Sequence, residues 1–367
     1  MKHRFEVLDI FRGLFASFVF LFHLSAFSQT PIINNNFVYN SDMFVDFFFV
    51  LSGFVIAYSY EHLSGVDNVV TFFKKRFKRI YPLHLFMLLI FVVVEGAKHL
   101  LSAHIHVNNM GGTNNIYTFI SSLLLLNSFP VFHVTDVSWN IPSWSISAEM
   151  AAYIVFGFSI FFINAWNMFK QRSWVYLLVI LLAAGGLIWI TGSIELNYSF
   201  DYGFLRGILG FFTGVLCLNA FNATKEKMFA GSPTLFSIAE IGALVVMCGC
   251  IYNGFTLKHI GMIYEVLFFV CIYILSFEKG IVSQGLKKIS LLKKVGKYSY
   301  SIYLTHALLI SLFNVLFIRI LKFPPSAYSY LFILNYLLIY FVSAWTYKHI
   351  ETKFYHSTKG KKVDNKE

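Results

Sequence analysis

Charged side chains are scarce in this sequence. Asp, Glu, Lys and Arg make up 13% of its 367 residues, whereas hydrophobic residues make up 57%. A soluble chain of this length would place long polar segments between its buried elements, but here most polar stretches are short loops between apolar runs. The composition therefore excludes an ordinary soluble fold and predicts an all-α, polytopic bundle of transmembrane helices.

Cysteine is scarce as well, and its positions exclude a metal site built on thiolates. The four cysteines all lie in apolar stretches, without the spacing of metal ligands and without His or Asp companions. We expect them to be packing residues and predict no bound metal. They are Cys217, Cys248, Cys250 and Cys271.

Negative charge is also in short supply, which leaves a formal net charge of +11. Lys and Arg cluster in a few segments between apolar runs rather than along one helix or strand face. Membrane topology explains such clusters, so we expect a lipid bilayer and no nucleic acid as partner.

Apolar runs of about 20 residues, the length that crosses a bilayer, recur ten times along the chain. A further segment, residues 117–129, is apolar but short, and we expect a re-entrant or partly inserted helix on the outer side. The predicted spans are residues 9–28, 44–60, 80–101, 145–164, 175–191, 204–221, 235–252, 259–277, 298–319 and 328–348.

The basic clusters orient these spans. The strongest are "FFKKRFKR" (residues 72–79), "KKISLLKKVGK" (residues 287–297) and "KGKKVDNKE" at the end of the chain. Ten spans place all three clusters, and both termini, in the cytoplasm. We predict one membrane domain over residues 1–350, followed by a basic cytoplasmic tail over residues 351–367.

The first span carries two residues that do not suit lipid, Arg12 and His23. They are eleven positions apart, so they project from one helix face with roughly 16 Å between them along the axis. Arg12 alone could reach cytoplasmic headgroups, and a single histidine could bond between helices. Together they indicate a polar pathway or site inside the protein.

The second span adds Asp46 near its outer end and Ser52 in its middle. Because the first span runs outward and the second inward, Asp46 and His23 fall at similar depth. A carboxylate beside an imidazole stabilises the imidazolium and makes the histidine a better proton acceptor. The alternative is that Asp46 only caps its own helix.

Two arginines, Arg76 and Arg79, lie three positions apart at the cytoplasmic entrance of the third span. Positive-inside anchoring accounts for the charge of this segment. Two arginines on one face also suit a phosphorylated ligand, because guanidinium groups bind phosphate through paired donors.

The segment "NIPSWSISAEM" marks the outer start of the fourth span. Ser145 and Glu149 lie one turn apart, and an unpaired carboxylate in an apolar run is costly, so Glu149 is expected to face the same interior as His23. Trp144 could be an ordinary interface aromatic. Farther along, glycines at positions 203, 207, 210 and 214 share one helix face and predict close helix packing.

Taken together, these motifs resemble one family, acyltransferase 3, which comprises integral-membrane acyltransferases and includes bacterial O-acetyltransferases of surface polysaccharides. The resemblance covers essentially the whole chain and looks like the stand-alone form of the family. Two positions depart from the family pattern: Phe44 stands where glycine is common, and "HIETKFY" lacks the proline that usually follows its Glu. The motifs are Arg12 with His23, "VDFFFVLSGF", "RFKRIYP", "SWSISAE" and "GKYSYSIYLTHALLI".

The resemblance assigns expected roles to the residues of these motifs. His23 would be the essential histidine and Asp46 its acidic partner, with Glu149 also counted as catalytic. Ser145 and Trp144 would lie on the acceptor side. The donor, acetyl-CoA, would be bound by Arg12, Arg76, Arg79 and Tyr81, and further participants could be Ser52, Tyr303 and His306, the last two alternatively forming a polar seam between helices.

The implied function is transfer of an acetyl or larger acyl group from cytoplasmic acetyl-CoA to a hydroxyl of an extracytoplasmic glycan, either a surface polysaccharide or a lipid-linked precursor. The expected location is the bacterial cytoplasmic membrane. His23 would act as general base or as transient acyl carrier. The alternatives are a proton-coupled transporter or flippase that uses the same ionisable residues as a relay, and a non-catalytic scaffold. The sequence leaves the acceptor and the oligomeric state open.

Overall fold

A computed structural model describes residues 4–60, 66–101, 113–131 and 134–356, and this part of the chain is helical without a β-strand. The main helices are α1 (Glu6–Ser25), α2 (Phe44–Tyr60), α3 (Val66–Leu101), α4 (Ile116–Leu123), α5 (Trp144–Ala165), α6 (Arg172–Thr191), α7 (Gly203–Ala230), α8 (Pro233–Tyr252), α9 (Ile263–Leu275), α10 (Ser290–Asn314) and α11 (Phe332–Thr346). Short helical segments are Asn36–Tyr39, Ser41–Met43, Ile141–Ser143, Gly254–Leu257, Lys258–Ile260, Ile281–Leu286, Val315–Ile320, Pro325–Tyr328, Ser329–Leu331, Tyr347–Glu351 and Thr352–His356.

Within the described residues, nine helices are long and apolar enough to cross a membrane, or ten if one bent helix pair counts as a single span. Each predicted span falls on one of these elements. The predicted all-α, polytopic architecture of about ten spans is confirmed.

The predicted span at residues 259–277 is a bent helix pair rather than one continuous helix. Gly254–Ile260 and Ile263–Leu275 meet at an angle of 104°. With 13 residues, α9 is only about 20 Å long, short of the ~30 Å hydrocarbon core. The chain breaks at Gly261, where a Cβ would lie 2.6 Å from the backbone nitrogen of Leu196, so the segment turns to pack beneath another loop.

The two internal basic segments are helices rather than loops. Residues 72–79 lie inside α3, which continues through Pro82, and α10 begins at Ser290, so most of residues 287–297 is helical too. Lys and Arg are good helix formers, so a charged stretch beyond the apolar part of a span extends the helix. As a result, Arg76 and Arg79 stand on a rigid element.

The short helix expected within residues 117–129 is α4, which ends at Leu123. Asn115 and Thr118 form a capping box at its start. Its end is held against α3, because the carbonyl of Ser122 lies 2.8 Å from His84 Nε2 and the carbonyl of Leu123 accepts a bond from Tyr81.

Helix α7 packs through its glycine face, as predicted. A Cβ at Gly207 would lie 2.8 Å from Ala148 of α5, and one at Gly214 would meet the backbone of Val50 in α2. This close approach places the first turns of α7 directly beside those of α2. Helices α1 and α10 cross just as closely at Gly13 and Gly296, and they run in the same direction.

Helix continues past residue 350, where the sequence places the domain boundary, and that boundary stays a prediction. Glu351 is buried, and helix continues from Thr352 to His356. Glu351 contacts α3 and α10 through its carboxylate, so it belongs to the membrane domain. The remainder of the predicted tail, residues 357–367, lies outside the described residues.

Candidate active site

A cavity with about 890 Å³ of empty volume lies between α1, α2, α3, α5 and α10. It joins most of the ionisable and hydroxyl residues that the sequence analysis singled out. Its polar lining consists of Arg12, Ser52, Arg76, Arg79, Ser145, Glu149, Tyr153, Ser299, Tyr300 and Tyr303.

Arg12 is fixed at one end of the cavity by two neighbours. Its Nε donates to Ser299 Oγ at 2.8 Å, and its Nη2 lies 3.0 Å from the carboxylate of Asp9. About a third of the side chain stays exposed. The guanidinium is therefore oriented by the protein but still accessible.

Arg76 and Arg79 stand at the same end as Arg12. Arg79 Nη1 lies 2.5 Å from Glu351 Oε1, and Ser301 Oγ donates to the other oxygen of that carboxylate at 3.0 Å. Arg76 Nη2 donates to Tyr60 Oη at 3.1 Å, and its guanidinium lies over the Tyr60 ring. Three positioned guanidinium groups make this end suited to an anion such as a phosphate.

Glu149 forms the centre of a hydroxyl cluster on the cavity wall. Ser52 Oγ and Tyr153 Oη both donate to its Oε1, at 2.5 and 2.6 Å. Two hydroxyl donors on one oxygen stabilise a carboxylate inside an otherwise apolar wall. Ser52 therefore belongs to the site as a hydrogen-bond donor to Glu149.

Ser145 and Tyr303 line the other end of the cavity, and their hydroxyl oxygens lie 2.9 Å apart. One helical turn beyond, the ring centroid of His306 is 5.9 Å from that of Tyr303 and 5.1 Å from that of His23. Neither histidine is among the described residues that line the cavity. Tyr303, His306 and His23 thus form a sequence of adjacent rings that leads away from it.

Asp46 forms its ion pair with Arg206, and its expected pairing with His23 stays a prediction. Both oxygens of the buried Asp46 accept bonds from Arg206, from Nε at 2.6 Å and from Nη2 at 2.7 Å. A bidentate ion pair of this kind fixes the orientation of the Asp46 carboxylate toward α7.

Trp144 and Tyr81 pack against other residues, and the roles expected for them stay predictions. Trp144 is buried with its ring against the guanidinium of Arg206, at 5.3 Å, rather than in the cavity wall. Tyr81 donates to the carbonyl of Leu123 and stacks on Phe77, and it is not among the described residues that line the cavity. Trp144 therefore supports the Asp46–Arg206 pair, and Tyr81 holds α4.

The sequence analysis did not single out Arg206, Glu351, Tyr153 or Ser299. Arg206 could have been predicted, since it is an arginine in an apolar span and the carboxylate of Asp46 requires a cation. Glu351 could have been predicted too, because it is the Glu of the "HIETKFY" motif. Tyr153 and Ser299 look like ordinary helix residues. No group of three His, Cys, Asp or Glu residues that could hold a metal ion occurs in the part of the chain that the structure describes.

The fold and this interior site define a multi-pass membrane protein with a polar cavity between its helices. A family model described as an acyltransferase domain matches residues 5–346, so the chain belongs to the acyltransferase 3 family.

Two curated proteins match shorter parts of the chain. It is 37% identical over 112 residues to the acyltransferase MdmB of Streptomyces mycarofaciens, covering 30% of this chain and 26% of that protein. It is 38% identical over 88 residues to protein 2 in the picA locus of Rhizobium radiobacter, covering 23% of this chain and 42% of that protein. The matches therefore span less than half the length of either relative. No solved structure matches.

Proposed function

We propose that the protein is an O-acyltransferase that moves an acetyl group from cytoplasmic acetyl-CoA to a hydroxyl of an extracytoplasmic glycan. One observation carries the proposal: a single cavity has three arginines at one end and leads at the other toward two adjacent histidines. The family membership supports acyl transfer, and the relative named an acyltransferase agrees with it.

The orientation follows from the positive-inside rule. Arg76 and Arg79 lie in the basic stretch of α3, and α10 begins in the basic stretch around Lys293, so this end of the cavity belongs on the cytoplasmic side. Both termini would then be cytoplasmic, and His23 would lie near the outer face of the bacterial cytoplasmic membrane. The donor and the acceptor thus approach from opposite sides.

The arginine end fits the donor by its chemistry. Acetyl-CoA carries several phosphate charges at one end and a thioester at the end of a long flexible arm. Guanidinium groups bind phosphates through paired donors, and the separation of roughly 16 Å along α1 between Arg12 and His23 is within reach of such an arm. The apolar part of the cavity lining, with Phe48, Val55 and Ile56, suits the less polar arm.

Transfer requires one proton to move and one bond to be exchanged. In the direct route, the acceptor oxygen attacks the thioester carbonyl, a C–O bond forms, the C–S bond breaks, and an imidazole passes the hydroxyl proton to the departing thiolate. In the covalent route, a nitrogen of His23 first takes the acyl group and releases the thiolate, and the hydroxyl then displaces the histidine.

The acceptor can be identified together with the reaction. Cells that lack the protein are complemented with the wild-type chain, grown with labelled acetate, and their surface glycans are analysed by mass spectrometry. We expect an acyl mass increment, carrying the label, that depends on the protein. A transporter or flippase would change the amount of a glycan without adding an acyl mass, and that result would refute the proposal.

Substitution of Arg76 by alanine tests the donor end. We expect the KM for acetyl-CoA to rise about 10- to 100-fold with little change in kcat, because a charge-assisted hydrogen bond contributes ~1.5–3 kcal/mol. The measurement is acetyl transfer by purified protein at varied acetyl-CoA concentration. Lys75→Ala is the matched control, since Lys75 is an exposed neighbour outside the cavity. An equal rise of KM in both variants would refute a specific donor contact.

A further inference from the structure

We propose that His306 is a second catalytic histidine, whose Nε2 takes the proton of the acceptor hydroxyl. The inference rests on the proposed function. It assigns separate chemical roles to the two histidines beyond the end of the cavity that lies opposite the arginines. His306 would act on the hydroxyl, and His23 would act on the acyl group.

The tautomer of His306 follows from its one hydrogen bond. Nδ1 lies 3.3 Å from the carbonyl oxygen of Ile302, which can only accept, so Nδ1 must carry the hydrogen. In a neutral imidazole the other nitrogen then carries a lone pair. A protonated ring would instead bury a charged N–H group, which is costly without an acceptor. The local geometry therefore favours a neutral His306 with an unprotonated Nε2.

This lone pair has no partner in the described part of the protein. His306 is completely buried, and its Nε2 accepts no hydrogen bond there. Buried polar groups normally have partners, so an orphaned nitrogen needs an explanation. A substrate hydroxyl has the chemistry to supply the missing hydrogen.

A buried nitrogen without a hydrogen-bond partner does not by itself indicate a catalytic role, as His84 shows. His84 is also buried, and its Nδ1 also has no hydrogen-bond partner among the described residues. Its other nitrogen contacts the carbonyl of Ser122, so it sits between α3 and α4, apart from the cavity. His306 differs in its neighbours, because its ring lies between Tyr303, which lines the cavity, and His23. These two ring contacts place His306 between the cavity and His23.

The chemical step balances with this division of roles. As the acceptor oxygen forms its bond to the acyl carbon, its proton passes to His306 Nε2. The bond that breaks is the C–S bond of the thioester or the C–N bond of an acylated His23. The proton then leaves His306 for the departing sulfur or nitrogen, and the ring returns to its neutral form.

Two substitutions separate the nitrogens of His306. In His306→Asn, the amide can keep the bond to the Ile302 carbonyl but nothing replaces Nε2. In His306→Gln, an amide oxygen can stand near the Nε2 position and accept a hydrogen bond, but it cannot take a proton. Loss of general-base catalysis should lower the transfer rate about 10²- to 10⁴-fold in both variants.

Two measurements identify a catalytic role. Transfer is measured as the acyl increment on surface glycans per amount of monodisperse protein, and donor binding as the Kd of the purified full chain for radiolabelled acetyl-CoA. We expect the Kd to stay within about twofold of wild type. His84→Gln is the matched control, and it should retain transfer because His84 lies outside the cavity.

The inference fails if either His306 variant transfers within about twofold of the wild-type rate. It also fails if acetyl-CoA affinity falls as much as transfer does, since His306 would then only shape the donor site. Failure of the proposed function looks different, because it would appear as a wild-type protein that adds no acyl mass at all.

Discussion

Substitution of Arg206 by methionine should remove most of the folded protein from the membrane. Arg206 donates to both oxygens of Asp46, and both side chains are almost completely buried. Breaking a buried ion pair by removing one partner typically costs ~3–5 kcal/mol, because the other charge stays buried and uncompensated. That is a large fraction of the stability of most proteins, so we expect a strong loss of monodisperse protein in size-exclusion chromatography of solubilised membranes.

A second buried carboxylate makes the loss of Arg206 worse than the loss of Asp46. Both oxygens of Glu265 lack a hydrogen-bond partner in the described part of the chain, and Glu265 interacts electrostatically with Asp46 and Arg206. Arg206→Met leaves two buried carboxyl groups without a cation, whereas Asp46→Asn leaves Glu265 to balance Arg206. We therefore expect Arg206→Met to lower the melting temperature most, Asp46→Asn less, and the control Glu265→Gln least.

The double substitution Asp46→Leu with Arg206→Met completes the test. Replacement of a buried ion pair by apolar residues is often tolerated, so the double variant should be more stable than Arg206→Met alone. The result also decides the role of Asp46. If Arg206→Met accumulates normally and only activity is lost, the pair is not structural, and the catalytic role first expected for Asp46 would be favoured again.

The sequence was sufficient to predict the spans, because the apolar length of a helix is a local property. It was not sufficient to predict how charged helix ends continue. The stretch with Arg76 and Arg79 has the composition of a cytoplasmic loop, yet it is helical because Lys and Arg favour helix and the apolar part of α3 provides a template. The break at Gly261 also escaped prediction, since it depends on contact with Leu196 of a distant loop.

The site residues could be predicted by type but not by partner. Ionisable residues in a span must face the protein, which explains why Arg12 and Glu149 line one cavity. Their partners depend on which helices are neighbours. Asp46 and His23 were placed at similar depth, but depth does not fix the direction in which a side chain points around its helix. The glycine face of α7 brings Arg206 beside α2, where Arg206 forms an ion pair with Asp46.

The same limitation explains why only the structure favours a catalytic role for His306. Its motif suggested either a polar seam or a direct role, and nothing local distinguishes these. The parallel packing of α1 and α10 brings His306 against His23, and Gly13 and Gly296 permit that packing. The relation between the two histidines is thus a consequence of tertiary contacts more than 280 positions apart in the chain.

Substitution of His23 by glutamine should abolish acyl transfer while the protein stays folded. His23 is half-buried and forms no ion pair within the described residues; its ring contacts Phe22 and His306. Glutamine has a similar length and can keep a hydrogen bond, so the cost in stability should be small. If His23 takes a proton or carries the acyl group, transfer should fall by about 10²-fold or more. The acyl increment on surface glycans measures the loss, with membrane amount as the reference.

His259→Gln is the control for this substitution. His259 is an exposed histidine that pairs with Glu195 at 2.8 Å, away from the cavity. Its replacement should leave transfer within about twofold of wild type. If His23→Gln acetylates the glycan fully, the reacting group lies elsewhere in the cavity, and Glu149 would be the next carboxylate or imidazole to test.

Rapid quenching then decides what His23 does. Purified protein is mixed with radiolabelled acetyl-CoA without an acceptor, and label bound to the protein is measured within the first turnover. In the covalent route, label accumulates on His23 in the wild type and more persistently in His306→Asn, because the variant cannot activate the hydroxyl, or water, that would remove it. In the direct route, neither protein retains label. His23→Gln must lose any such label. Wild type, His306→Asn and His23→Gln together therefore distinguish an acyl carrier from a residue that only contacts the thioester.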